Sequence, residues 1–338
     1  MSGPARQAPG GAVAQAGPAS VAWGLQTAAQ LQAKTLPGLK MFVAGLVAEG
    51  LTVLAGAPKL GKSLLALDLA LCVADGTQFL GARTRQCGVI YLALEDSERR
   101  LQDRIRLILG AAPQWPQRFR YLTKLPSPLM RQHLVGMCDS LIDQHPDVEL
   151  LVFDTLARVK PPQRAGANQY DADTDAWGPL QAWAVARRVA VLGLHHDRKA
   201  GAPDWLDSLS GSKGLSGVAD TALLLRGERG GPRANLFVTS RDLDDREAWK
   251  LERGGGPVWR LAGRAPAGAV LAQTGLGDAQ AQLAGFLAAN PAGVRPVDVA
   301  AALPALFPSA QRASQALWRL ADQGRASKLG RGLYGPTS

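Results

Sequence analysis

The stretch from Leu51 to Ala66, LTVLAGAPKLGKSLLA, constrains this chain more than any other. A short apolar run, a turn bounded by Gly56 and Gly61, and a row of helix formers spell strand, tight loop and helix in that order. Within it Gly56, Gly61, Lys62 and Ser63 satisfy the pattern G-x-x-x-x-G-K-[ST]. The glycines are needed because the backbone must curl until successive N–H groups point into one concavity, which side chains there would obstruct. The following helix turns its unpaired amides and positive dipole end toward the same point, so an anion is favoured there. Gly56, Ala57, Pro58, Lys59, Leu60, Gly61, Lys62, Ser63 and Leu64 are therefore expected to wrap the phosphates of a nucleoside triphosphate, ATP, with Mg²⁺ on the Ser63 hydroxyl and Lys62 reaching the β/γ-phosphates. A glycine turn without a ligand is the competing explanation. Val53 and Leu54 before the loop, and a helix from Leu64 to Ala74 that is apolar nearly all round, argue against it.

The chain continues in alternation. Gly88 to Leu94 is an apolar, β-rich run ending in Glu95 and Asp96, and a buried parallel strand delivers such acids beside the loop's phosphates. Ser97 starts a helix that places Leu101, Ile105, Ile108 and Leu109 on one face and stops at Gly110. A strand near Phe119 to Leu125 and a helix near Arg131 to Gln144 lead to Val148–Asp154, apolar residues closing on an acid. That is the Walker B pattern, in which the carboxylate of Asp154 holds Mg²⁺ through water. A helix around Trp177 to Arg188 and a strand to Leu194 end in His195, His196, Asp197, Arg198 and Lys199. A His pair invites a metal, but adjacent strand residues point to opposite faces and no cysteine lies nearby; the other reading has one histidine sensing the γ-phosphate while its neighbour packs. Strands are then expected near Thr221 to Arg226 and Ala234 to Ser240, with an antiparallel edge at Trp249 and Val258 to Leu261. The fold class that follows is α/β, a P-loop core around a mostly parallel central sheet.

With 338 residues, 46% of them hydrophobic and 20% charged, there is room for one large core and a smaller domain. A formal net charge of +10 points to an acidic polymer such as nucleic acid, although a cationic surface without such a partner has the same composition. Cys72, Cys87 and Cys138 are too few and too scattered for a disulfide framework or a zinc site. With no run of 18 uninterrupted apolar residues and no signal pattern, a cytoplasmic location and no membrane partner are expected.

Residues 1–20 have the composition of a flexible tail, and 21–40 that of a helical arm that either docks on a neighbouring subunit or covers its own domain. The nucleotide domain is expected over 41–263, a Gly- and Ala-rich linker over 264–277, and a separate unit over 278–338. In that unit three helical patterns and a β-turn-β predict a winged helix-turn-helix. Arg312 and Arg319 fall on its recognition helix, and Lys328 and Arg331 in its wing, each placed to meet the phosphates of double-stranded origin DNA; a winged helix used for protein contacts is the alternative.

Taken together, GAPKLGKS, YLALED, LVFDT, LHHDRK and SGSKGLSGVAD, in that order over residues 40–262, resemble the RecA-like hexameric helicases, in particular the plasmid RepA-type replicative helicases and the AAA family domain grouped with them. The resemblance implies that Glu95 is the base that activates the attacking water, with Asp154 on Mg²⁺ and His195 or His196 as γ-phosphate sensor. Arg241, or alternatively Arg226, resembles the arginine that such enzymes insert into the adjacent subunit's site. The family's single-stranded DNA contacts would fall near 160–173 and 198–213, on Lys160, Arg164, Arg198, Lys199 and Lys213, with Tyr170 and Trp205 available for stacking. The partners implied are single-stranded DNA, copies of the same chain in a ring of six, and a primase or initiator protein. A C-terminal winged helix in place of the bacterial enzymes' large N-terminal primase-binding domain leads to the expectation of a plasmid, phage or mobile-element replication protein. An ATP-switched DNA-binding regulator of the KaiC/RecA type, which does not unwind, is the alternative.

Overall fold

The computed structural model describes residues 25–112, 114–127, 130, 132–162, 168–196, 213–227, 230–242, 247–267, 270, 279–304, 306–322, 326–330 and 332–336. It divides into two units, one up to Gly38 and one from Leu39 onward. In the first, a single helical turn, α1 (Ala28–Gln32), is started by a capping box in which the Thr27 hydroxyl accepts from the Gln30 amide while the Gln30 side chain accepts from the Thr27 amide.

The second unit begins with a two-stranded hairpin, β1 (Met41–Val43) and β2 (Val47–Ala48), too short to carry a periodic signal in sequence. The alternation follows as β3 (Gly50–Gly56), α2 (Lys62–Asp75), β4 (Gly88–Ala93), α3 (Glu98–Leu109), β5 (Phe119–Leu122), α4 (Leu134–Gln144), β6 (Val148–Asp154), α5 (Leu156–Val159), α6 (Gln169–Arg187), β7 (Ala190–His196), α7 (Lys213–Val218) and β8 (Thr221–Gly227). Three antiparallel strands complete the sheet: β9 (Arg233–Ser240), β10 (Glu247–Glu252) and β11 (Arg260–Pro266). Their spatial order is β11-β10-β9-β8-β3-β7-β6-β4-β5. From β8 to β5 every neighbouring pair is parallel, so the expected mostly parallel α/β sheet is what forms.

The strands are apolar on both sides because both sides are covered. Tyr91, Val152 and Leu192 pack with the helix residues Leu67 and Leu71 on one face, and Ile90, Phe153 and Val191 pack with Trp177, Leu180 and Cys138 on the other. The thiols of Cys72, Cys87 and Cys138 are pushed up to about 12, in each case chiefly by burial, which leaves them unreactive small core residues.

Helix α6, with the loop before it, and strand β11 differ from the sequence expectation. Helix α6 starts at Gln169 rather than near Trp177, because the Asn168 side chain accepts from the Asp171 amide at 2.9 Å and the helix then continues through Pro179. The first DNA loop expected from the sequence is shortened accordingly, since 169–173 are helical. Strand β11 runs through Pro266 and so takes in the first three residues of the stretch read as a linker.

Beyond it lie α8 (Ala279–Ala289), α9 (Pro296–Ala302) and α10 (Ala310–Asp322), followed by an antiparallel hairpin, β12 (Ser327–Gly330) and β13 (Leu333–Gly335). Val294 bridges to Tyr334 of the hairpin, and Leu283, Leu287, Val299, Phe307, Leu317 and Leu320 close a core of their own.

Candidate nucleotide site

The phosphate loop springs from the central strand of the sheet. Gly56, its first residue, has no room for a side chain: a Cβ there would stand 2.6 Å from the Leu225 carbonyl of β8. At the other end Gly61 is the N-cap of α2 with φ at +96°, a conformation that favours glycine. Lys62, the first residue of α2, folds its side chain back into the loop. Its ammonium is nearly fully buried and donates to the carbonyls of Gly56 at 2.7 Å and Ala57 at 2.9 Å. A buried cation needs such acceptors, and here they are the loop's own backbone, which places the charge in the concavity where phosphates are expected.

Two further strand ends meet the loop. Strand β7 lies between β3 and β6, so the carboxylate of Asp154 stands one strand away from the loop. The Ser63 hydroxyl donates to Asp154 Oδ1 at 3.1 Å. The Tyr91 hydroxyl, on fully buried β4, donates to Asp154 Oδ2 at 2.8 Å and to the Ser63 carbonyl at 3.3 Å. Burial raises Asp154 above the usual carboxylate range, while the Tyr91 and Ser63 hydroxyls act in the opposite sense. Burial, reinforced by Asp154, holds the Tyr91 phenol well above its ordinary value, so it stays a donor. A hydroxyl and a carboxylate in contact at the N-terminus of a helix form a hard oxygen set that fits Mg²⁺.

Glu95 follows the end of β4. Its Oε1 accepts from the Thr155 hydroxyl at 3.1 Å and lies 3.5 Å from the Arg158 Nε. Asp96, beside it, is taken up by Arg100 and Arg104 of α3 and is thereby part of the fold rather than free for chemistry. On β7, His195 pairs in register with Ala55 and His196 with Gly56, which brings both backbones to the loop; the His195 side chain is half-buried, and that of His196 lies outside the described residues. Among the described residues no group of three or more His, Cys, Asp or Glu side chains is arranged to hold a metal ion.

The two candidate finger arginines sit at opposite ends of the adjacent antiparallel strands β8 and β9. Arg226 lies at the end of β8, beside the loop of its own chain, since its neighbour Leu225 pairs with Gly56. Arg241 follows β9 and is level with the foot of β3. There its amide donates to the Asp220 carbonyl, and its guanidinium donates to the Gly217 carbonyl and stands 4.0 Å from Asp220. Asp220 in turn accepts from the Leu51 amide at 2.8 Å and from Gln181 at 2.7 Å.

Of the residues expected to meet DNA, Lys160 is ion-paired with the buried carboxylate of Asp173. Arg164, Arg198, Lys199 and Arg331, and the side chains of Lys213 and Arg319, lie outside the described residues, as do Trp205 and the side chain of Tyr170. Arg312 and Lys328 are exposed. The residues that sequence reasoning missed are Tyr91 and Thr155. Tyr91 carries the one hydroxyl in the apolar β4 run, a signal that was available; Thr155 simply follows the Walker B acid.

A strand, a glycine-bounded loop and a helix N-terminus, with a buried lysine in the loop and a Ser–Asp pair beside it, define a P-loop nucleotide-binding α/β protein. More narrowly, the AAA domain family model matches residues 21–202, over half of the chain, and the chain belongs to that family. No curated protein matches it. A solved structure described as a DnaB-like replicative helicase and its interactions with primase aligns at 12% identity and a TM-score of 0.47, covering 62% of this chain. The chain spans 57% of the length of that one. No helix among the described residues is long and apolar enough to cross a membrane.

Proposed function

We propose that this chain is an ATP-hydrolysing motor with a RecA-like core, assembling into a ring of six and moving along single-stranded DNA in plasmid, phage or mobile-element replication. The observation that supports it most directly is the meeting of Lys62, Ser63, Asp154 and Glu95 at neighbouring strand ends. In this reading the phosphates of ATP take over the Lys62 ammonium from the carbonyls of Gly56 and Ala57. Ser63 and Asp154 would hold Mg²⁺, which supplies charge neutralisation to the β- and γ-phosphates. Glu95, oriented by Thr155, accepts the proton of the attacking water, and His195 or His196 faces the γ-phosphate. Arg241 stands at the strand ends opposite its own loop, so any part it takes in hydrolysis is in a neighbour's site; Arg226 remains the other candidate. The three C-terminal helices and hairpin are read as a winged helix that meets origin DNA through Arg312, Arg319, Lys328 and Arg331, with a primase or initiator protein as further partner.

ATP turnover with and without single-stranded DNA, beside the Glu95→Gln variant, tests this. Strong stimulation that the variant abolishes is the expected result. Slow turnover indifferent to DNA would favour the second reading, an ATP-switched DNA-binding regulator that does not unwind. One observation favours that alternative: Lys160 is committed to Asp173 rather than presented to a strand.

A further inference from the structure

The edge hairpin of the sheet reaches back to the phosphate loop. Arg253 directly follows β10, and its backbone is pinned by donation of its amide to the Pro232 carbonyl at 2.8 Å. From that anchor its guanidinium lies over the indole of Trp259, with Cζ 4.1 Å from the ring centroid. One of its terminal nitrogens donates to the Leu60 carbonyl at 3.1 Å. Trp259 itself is 2% exposed. The turn between the two, Gly254, Gly255 and Gly256, is solvent-exposed, with Gly255 at φ +79°.

The contact falls at one particular peptide. In a trans peptide the C=O and the following N–H point to opposite sides of the chain. A cation that holds the Leu60 carbonyl on the outer side of the loop therefore turns the Gly61 amide to the inner side, toward the phosphate concavity. The same contact also polarises that peptide and strengthens its N–H as a donor. The fit is close: a Cβ on Gly61 would stand 2.6 Å from Arg253 Nη2 and 3.1 Å from Trp259 Nε1. Arg253 Nε and Trp259 Nε1 are both buried without an acceptor. Stacking and the single bond to Leu60 thus hold the pair in place even though two donors go unmatched. For a residue whose task was only to fill space, an uncharged side chain would avoid that penalty.

We infer that Arg253, stacked on Trp259, is a positioning residue for the phosphate loop: it sets the Leu60–Gly61 peptide so that the Gly61 amide faces bound phosphate. This rests on the reading of the loop as an ATP site. Because the amide meets phosphate in the ground state and the transition state alike, its loss weakens binding more than it slows the chemical step.

The test compares full-length wild type with Arg253→Ala, Arg253→Lys and Trp259→Phe. ATP affinity is followed with a fluorescent ATP analogue, and KM and kcat by steady-state turnover. Thermal melting is recorded with and without ATP. Arg253→Ala is expected to raise Kd and KM about tenfold, the effect of losing one hydrogen bond from a charged donor, with kcat within about twofold. Arg253→Lys keeps the charge without the flat stack and should fall between the two. Trp259→Phe keeps the stacking surface and should stay near wild type. If Arg253→Ala folds poorly, Arg253→Lys carries the same comparison. A variant that melts earlier without ATP but binds ATP with wild-type Kd and KM would show that Arg253 serves stability alone, which overturns the inference while the ATP site stands. Failure of wild type itself to bind the analogue would overturn the ATP site, and the inference with it.

Discussion

Tyr91 and Asp154 sit on adjacent parallel strands, and the phenol of one donates to the carboxylate of the other at 2.8 Å. The same hydroxyl reaches the Ser63 carbonyl, so one side chain ties together the two groups proposed to hold Mg²⁺. Tyr91→Phe removes that tie and leaves the ring in place. The half-saturating Mg²⁺ concentration for ATP hydrolysis should rise about tenfold, as for other residues that orient a metal ligand. The rate at saturating Mg²⁺ should change far less, and a Mg²⁺ titration of turnover checks both.

Gly193 of β7 lies under Leu156, the first residue of α5. A Cβ at position 193 would come within 2.6 Å of three carbons of that leucine side chain. Gly193→Ala should therefore destabilise the fold by about 1–3 kcal/mol through overpacking. Adding Leu156→Ala to it should recover part of the loss, whereas Leu156→Ala alone opens a cavity. Denaturant melts of the three variants, read as a double-mutant cycle, give the coupling.

Asp68 lies on α2, and burial raises its carboxyl to about 6. The folded state therefore binds this proton more tightly than the unfolded chain does. Its contribution is favourable below about pH 4 and is lost as pH rises through about 6, where an ionised carboxylate must stay buried. Asp68→Asn cannot ionise, so it should be more stable than wild type by about 2 kcal/mol at pH 8, with the difference gone by pH 4. Chemical denaturation at the two pH values measures this.

Lys160 gives its ammonium to Asp173, whose side chain is 7% exposed against 20% for the lysine. If a DNA strand passes this loop, the carboxylate competes with it. Asp173→Asn should tighten single-stranded DNA binding several-fold at low salt and steepen its salt dependence by about 0.7 in log–log slope, the share of one added phosphate contact. Fluorescence anisotropy across a salt series measures both quantities.

What the sequence makes visible is chemistry that is local along the chain. The loop from Gly56 to Ser63 and the acids after β4 and at the end of β6 announce themselves because backbone curvature and a strand end require particular residues within a few positions. What stays hidden is chemistry made by pairing. Tyr91 is one more residue of a β-rich run until β4 and β6 lie side by side. Arg253 finds Leu60 across 193 positions, a distance no periodicity spans. The first turns of helix α6 stay hidden for another reason: the Asn168 cap that starts the helix lies in a polar stretch with little hydrophobic pattern.

The carboxylate of Asp220 holds the Leu51 amide at the foot of β3, at the opposite end of the strand from the glycine that opens the phosphate loop. The same residue receives Arg241. Strand β3 is in this sense a rod with fittings at both ends, its head at the phosphate loop and its foot beside Arg241, one of the two arginines proposed to reach a neighbour's site. If the chain assembles as proposed, a displacement of the loop would be transmitted along the strand as a push rather than absorbed as a bend. In an assembly of copies, successive sites would feel one another through the stiffness of a single β-strand.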